Sequence, residues 1–301
     1  MTTYSYDILG HLISVNMPRP TGTQTRSFTY SGNYLTSATN PENGTVNYGY
    51  NTFMKVASRI DAKGQKVVYT YDSYARLTEV QRYPNGSTED TCQQEDYYYD
   101  SNPFDSNYSQ NIAGRLAAVQ YYGGSAPNLS NPNLPWTCDT TFIEMYSYSA
   151  AGGVVGKRLR VTRTFPTGIA PNGSQAAANA DLNGSFTYDN EGRMTGEQYP
   201  QSGALGWSGS CTQAVNFTAG PNLTMACDSM GRPYSMTDQT ASQTIVGGAT
   251  YNAAGLLLSN GLQSFTYNSM QQLTQVSGGG MNIQFNYSAT QNNGKIVSQI
   301  W

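Results

Sequence analysis

The sequence predicts an all-β protein made of repeated antiparallel hairpins laid side by side as a curving sheet. Three observations lead there. A nine-residue pattern, aromatic-x-Tyr-Asp/Asn-x-x-Gly-Arg-Leu, recurs along nearly all of the 301 residues. Its copies stand near 20 residues apart, or near twice that. Only 12% of residues are charged, and the polarity comes instead from Ser, Thr, Asn, Gln, Gly and Tyr. That mixture favours sheet and turns over helix, which draws on Ala, Leu, Glu, Lys and Arg. A repeat sets the architecture, so it is read before any single residue.

The clearest copy is Tyr69-Thr70-Tyr71-Asp72-Ser73-Tyr74-Ala75-Arg76-Leu77, followed by Val80. Others are Phe186 to Met194 and Tyr4 to Leu12. Two aromatics at i and i+2 share one strand face, where they pack well on a pleated surface. The next four residues have the chemistry of a tight turn. Asp hydrogen-bonds its own backbone two residues on. Gly at the fourth place accepts a positive φ. Leu or Met restarts an extended segment, so each unit is a β-hairpin.

The second aromatics are Tyr6, Tyr30, Tyr50, Tyr71, Tyr99, Tyr148, Tyr188, Tyr267 and Tyr287, with weaker copies at Cys227 and Tyr251. About 20 residues fits two strands and two short connections. Ser101 to Ile112 separates Tyr97-Tyr98-Tyr99-Asp100 from its Gly114-Arg115-Leu116. It reads as an insertion at a hairpin tip that stays in solvent. The tyrosines read as a packing ladder rather than as ligand contacts.

No convincing helix is present; Gln175 to Ala180 could form one turn at most. Regularly spaced aromatics argue against disorder for most of the length. Local disorder is expected in Ser125–Pro135, Gly168–Asn183 and Ser202–Ser210. Net charge is −3 with dispersed cations, so no nucleic-acid partner is expected. Arg158 and Arg160 share a strand face, read as solvated. Glu89-Asp90 and Glu95-Asp96 read as a solvated acidic loop. No stretch is long and apolar enough for a membrane-spanning helix, and the first residues carry no signal-peptide pattern. Repeats cut at both ends make 4–300 a single repeat array, expected to be a piece of a longer polypeptide.

Cys92, Cys138, Cys211 and Cys227 lie 46, 73 and 16 residues apart, matching no zinc pattern. Disulfides, with Cys92–Cys138 and Cys211–Cys227 as one possible pairing, and free thiols both remain open. His11 is the only histidine, so a two-histidine metal site is impossible and any Ser-His-Asp or Cys-His site would need it. It fills the Arg place of the first repeat, as a turn residue would. Asp7, Asp72, Asp100, Asp189 and Asp228 could in principle supply paired carboxylates, but all hold the same turn position, and capping a hairpin explains them. Gly206-Trp207-Ser208-Gly209 is not a nucleophile elbow, and no phosphate-cradling glycine loop exists. No catalytic, cofactor-binding or metal residue is therefore expected, and no cofactor.

The motif Tyr-x-Tyr-Asp-x-x-Gly-Arg-Leu, as it stands at Tyr69–Leu77, Phe186–Met194 and Tyr4–Leu12, resembles the YD repeat of Rhs proteins, of insecticidal toxin complex C components and of teneurins. The resemblance covers about residues 4–300. It departs at Ala75, where Gly is expected, and at Cys227, where Tyr is expected. It implies a sheet spiralling into a hollow shell that in bacterial members encloses a C-terminal toxin, and a secreted or cell-surface protein. It carries over no catalytic residue. The segment is thus expected to be non-enzymatic, with the rest of its own polypeptide and an enclosed effector as partners. The alternative is a carbohydrate-binding module for cell-envelope glycans, using Trp136 and Trp207; a polysaccharide hydrolase is a third, weaker reading. The architectural alternative is a β-propeller, since two hairpins approach one blade.

Overall fold

The computed structural model describes residues 1–126, 137–164, 177–204 and 216–301. The chain forms two compact units. The first holds Met1–Ser147 and Arg158–Asp181; the second holds Tyr148–Lys157 and Leu182–Trp301. Among the described residues the helical content is one 3-10 turn, Thr91–Gln93.

The first unit begins with β1 (Thr3–Tyr6), β2 (Leu12–Arg19), β3 (Gly22–Ser31), β4 (Tyr34–Asn40) and β5 (Gly44–Tyr50). It continues with β6 (Val56–Ile60), β7 (Lys66–Tyr71), β8 (Leu77–Tyr83), β9 (Glu95–Tyr99), β10 (Leu116–Ala126) and most of β11 (Thr137–Tyr148). From β1 to β11 each strand pairs antiparallel with the next. A propeller would break this ladder after every fourth strand. The pairing is that of a continuous meander of hairpins.

β12 (Val154–Thr164) and β13 (Ala177–Tyr188) cross the boundary between the units. In the second unit follow β14 (Met194–Gln198), β15 (Ser202–Ala204), β16 (Asn216–Thr218), β17 (Asn222–Cys227), β18 (Pro233–Asp238) and β19 (Gln243–Val246). Then come β20 (Thr250–Tyr251), β21 (Leu257–Ser259), β22 (Ser264–Tyr267), β23 (Leu273–Gly278), β24 (Met281–Tyr287) and β25 (Ile296–Ile300). β20 to β25 form a six-stranded sheet in sequence order, and β15 with β16 makes a separate two-stranded ribbon. Where one turn of helix was conceivable, Ala177–Ala180 opens β13 instead. Ser125, Asn183 and Ser202, placed in expected disorder, lie in β10, β13 and β15; the remainder of those segments falls largely outside the described residues.

The turns at Asp7, Asp72, Asp189 and Asp228 share one construction. At Asp72 the Ala75 N–H donates to the Asp72 carbonyl (3.0 Å) and the Asp72 N–H donates to the Arg76 carbonyl (3.0 Å). Asp72 Oδ1 accepts from the N–H groups of Tyr74 and Arg76, both at 2.9 Å. The ladder slips between Thr70 and Tyr71. This is a type I turn followed by a left-handed residue that closes a bulge. Gly10, Gly192 and Gly231 supply the left-handed place with φ of 83°, 79° and 76°. Ala75, in the same place, is held at φ 59° despite its Cβ. Asn51, Asn252 and Asn268 build the same turn with an amide oxygen.

Alternation then sorts the two faces. Tyr69 pairs with Val80 and Tyr71 with Leu77 on one face; Ser14 pairs with Ser27 and Thr39 with Thr45 on the other. Hydroxyl pairs such as Thr39–Thr45 (2.8 Å) tie neighbouring strands on the polar face.

The first unit gathers a three-residue core in one place. Ala118, Ile143 and Met145 form a buried cluster, with Ala118 and Met145 fully inaccessible. What covers it is the segment expected to stay in solvent. Residues 101–112 fold back so that Phe104 and Tyr108, with Tyr98, pack on that cluster. Asn102, itself buried, shapes the segment by accepting from the N–H groups of Phe104 (3.0 Å) and Asp105 (3.2 Å) and donating to Ser109 Oγ (2.9 Å). A tip insertion carrying Phe and Tyr gains more by covering apolar surface than by remaining hydrated.

Candidate functional site: the junction between repeats

Three side chains of the motif meet at the junctions that follow Asp7, Asp72 and Asp228. The turn Asp uses Oδ1 on the backbone and Oδ2 on the residue four places on. Arg76 Nε donates to Asp72 (2.7 Å), Arg193 Nε to Asp189 (2.6 Å) and Arg232 Nε to Asp228 (2.8 Å). In the first repeat His11 Nδ1 takes this place at 2.8 Å from Asp7.

The same cation then lies against the tyrosine of the following repeat. Arg76 sits 4.5 Å from the Tyr99 ring centre and Arg232 sits 4.4 Å from that of Tyr251. His11 stacks on Tyr30 with ring centres 4.6 Å apart. The tyrosine hydroxyl reaches back to the strand that begins just after the previous turn. Tyr30 donates to the Leu12 carbonyl (3.2 Å), Tyr50 to Leu35 (2.9 Å) and Tyr71 to Val56 (2.8 Å). In the second unit Tyr188 donates to Val154 (2.9 Å), Tyr251 to Pro233 (2.6 Å) and Tyr287 to Leu273 (2.9 Å). Each tyrosine therefore both packs on a sheet face and fastens its hairpin to the one before.

The electrostatics fit a fastening rather than a reaction centre. Burial raises the Asp72 carboxyl, but hydrogen bonds from the Arg76 backbone and side chain outweigh it and hold it below the usual range. For Asp228 the Arg232 guanidinium is the leading cause of the same lowering. Carboxylates held this low accept hydrogen bonds and do not deliver protons near neutrality. Among the described residues no group of three or more His, Cys, Asp or Glu could hold a metal ion.

Asp100 departs from the pattern. With the insertion after it, Asp100 is itself left-handed (φ 64°). It accepts from the Gly114 N–H (2.5 Å) and from Arg76 Nη2 (2.7 Å), bonding across to an earlier turn. Of the acidic cluster, Glu89 and Asp90 lie in a loop and Glu95 and Asp96 do not. Asp90 caps the 3-10 turn, while Glu95 and Asp96 open β9, with Glu95 bound to Arg82 at 2.7 Å. Arg82 and Tyr97 both bond Glu95; burial first, and then that carboxylate, push the Tyr97 hydroxyl up to about 12.

Arg158 and Arg160 do share a face, but they are not solvated. Arg158 Nη1 lies 2.7 Å from Asp105, and Arg160 Nε lies 2.8 Å from Asp181. Arg160 also donates to the Phe104 carbonyl (3.2 Å), and Arg158 covers the Tyr108 ring at 4.2 Å. These contacts hold the inserted segment down. Its Asp105 lies more than fifty residues from its partners, so nothing in the spacing announces the pairing.

Cys92 and Cys138 form a disulfide, which decides between the two states left open for them. Cys227 carries a free thiol. Cys211, Trp136 and Trp207 lie outside the described residues. The tyrosine-to-carbonyl bond was not foreseen, although a signal exists: Tyr50 and Tyr71 each stand 15 residues beyond their acceptors.

No family model and no curated protein matches the sequence. Solved structures do. The chain is similar to one in the crystal structure of TcdB2-TccC3-Cdc42, with TM-score 0.64 and 15% identity over 99% of this chain and 14% of that one. It is similar to one in the crystal structure of TcdB2-TccC3, with TM-score 0.63 and 15% identity over 96% and 14%. A third, TcdB2-TccC3-TEV, gives 0.59 at 14% identity over 99% and 15%. The likeness is one of fold, and it agrees with the YD-repeat resemblance of the sequence. The chain spans about a seventh of the length of those chains.

Proposed function

We propose that this chain is a wall segment of a YD-repeat shell within a longer polypeptide, and that the wall sequesters or presents another polypeptide without chemistry of its own. The supporting observation is the junction. In it a turn carboxylate holds the guanidinium of its own repeat, that guanidinium lies against the next repeat's tyrosine ring, and tyrosine hydroxyls donate to backbone carbonyls of the hairpin before, which is how a wall of repeats is extended. Stacking hairpins edge to edge satisfies their backbone groups, and inherent strand twist curls a wide sheet. A curled sheet encloses volume. The fold likeness to toxin-complex chains, reached over nearly the whole of this chain, supports the same reading.

An exported or cell-surface location belongs to the proposal. The Cys92–Cys138 disulfide supports it, because such bridges persist in oxidising compartments. Cryo-microscopy of the full-length protein tests the function. A closed spiral with density inside upholds it; a compact globular fold with no enclosed volume overturns it.

A further inference from the structure

Six Asn-Gly pairs occur in the chain, at Asn43, Asn85, Asn172, Asn183, Asn260 and Asn293. Such a pair is chemically reactive. The glycine nitrogen can reach the asparagine side-chain carbon because glycine brings no Cβ to crowd the approach. The fold separates five of the six; Asn172 lies outside the described residues.

Four are held. Asn85 Oδ1 accepts from the N–H groups of Ser87 (3.1 Å) and Thr88 (2.7 Å). Asn260 Oδ1 accepts from those of Leu262 (3.0 Å) and Gln263 (2.7 Å). Asn293 Oδ1 accepts from the Lys295 N–H (3.1 Å). In each case the amide that would have to turn toward its own backbone is tied to a residue further on. Asn183 and Gly184 lie within β13, between β12 and β14.

Asn43 is different. It is exposed in the turn between β4 and β5, and its side chain has no hydrogen-bond partner among the described residues. The residues before it are fixed, since Arg26 Nη1 donates to Asn40 Oδ1 (2.7 Å) and to Glu42 Oε2 (2.9 Å). The glycine after it is imposed by packing. Gly44 has a φ of 71°, and a Cβ there would stand 2.6 Å from the Ala62 Cβ. The hairpin thus demands the reactive sequence and leaves its amide free. Both strands are paired on their outer sides as well, β4 with β3 and β5 with β6, so the site is set by its own and neighbouring hairpins.

We propose that Asn43 is a self-modification site, where the chain converts its own amide to a carboxylate. The Gly44 nitrogen attacks Asn43 Cγ and gives up its proton. The amide C–N bond breaks and ammonia leaves. The succinimide ring so closed takes up a water molecule at either carbonyl and opens to aspartate or isoaspartate. Solvent water is the co-reactant, and nothing is oxidised or reduced. Either product sets a new negative charge beside Glu42. Isoaspartate also adds a methylene to the backbone, next to the Asn40–Gly44 pairing and the Thr39–Thr45 bond (2.8 Å). The hairpin is therefore loosened with age at one defined turn. None of this involves an enclosed cargo, so its failure leaves the shell reading standing.

Peptide mapping by mass spectrometry tests it, on the whole chain incubated at mildly alkaline pH. The expected result is conversion at Asn43 about tenfold faster than at Asn85 or Asn260, the rate effect of the hydrogen bonds that hold those two. In guanidinium, where the folded turns are gone, the three rates should converge. Asn43→Gln, which disfavours the ring closure, should remove the acidic form that isoelectric focusing detects first, with far-UV circular dichroism unchanged. Asn43 converting no faster than Asn85 and Asn260, a lead that persists in guanidinium, or an equally early acidic form from Asn43→Gln would each overturn the proposal.

Discussion

Strands β2 to β7 and strands β9 to β12 are built from the same repeat, yet among the described residues the buried core cluster belongs to the second group. In the first group Val15, Ala38 and Val46 are buried singly along the strands, outside the clustered core. In the second group residues 101–112 lie on one face and bring Ala118 and Met145 to zero exposure. The difference teaches how a repeat wall holds together. Its bare part relies on many small fastenings between hairpins. Its covered part adds a second layer, and with it the packing that stabilises ordinary domains.

The covered part should therefore be the hardest to disturb locally and the most costly to damage. Replacing both Cys92 and Cys138 by Ser frees a loop of 46 residues. A chain-entropy estimate puts the loss at about 4 kcal/mol, read as a lower guanidinium midpoint that matches the wild type under reductant. Met145→Ala empties a fully buried site and should cost about 2–5 kcal/mol. Met54→Ala, at a turn tip 66% exposed, should stay within about 0.5 kcal/mol. Equal losses from the two methionines would erase the distinction between the regions.

The ion pairs that hold the inserted segment sharpen the contrast with pH. The Arg160 guanidinium lowers the Asp181 carboxyl below its usual value. A carboxyl lowered by folding contributes stability above its unfolded pKa, about 3.9, and loses it as pH falls through the folded one. Acid below about pH 4 should thus weaken the Asp181–Arg160 pair that ties β13 to β12 beside the segment. Asp181→Asn should flatten that acid limb of the stability profile while leaving neutral behaviour little changed in slope.

The bare region responds to smaller changes. Tyr50→Phe deletes one hydroxyl bond to the Leu35 carbonyl and should cost about 0.5–1.5 kcal/mol, measured by denaturant melting. Ala75→Gly should stabilise by about 0.5–1 kcal/mol, because Ala75 is left-handed and glycine meets no Cβ penalty there. A destabilised Ala75→Gly would mean that the methyl group contributes packing that outweighs the strain.

The sequence by itself determined the hairpin, its turn and its pairing with the next hairpin. These depend on residues within one repeat: the alternation of Tyr69, Tyr71 and Val80 sets the face, and Asp72 with a left-handed fourth residue sets the corner. Such local chemistry repeats with the motif, so one copy reads for all. Only the tertiary structure decided where the inserted segment goes, which cysteines join, and what Arg158 and Arg160 face. Asp105 and Arg158 lie 53 residues apart, and Cys92 and Cys138 lie 46 apart. Their meeting depends on several strands pairing first. No spacing in the chain encodes it, because the distance between such residues is set by sheet register and not by the separation along the backbone.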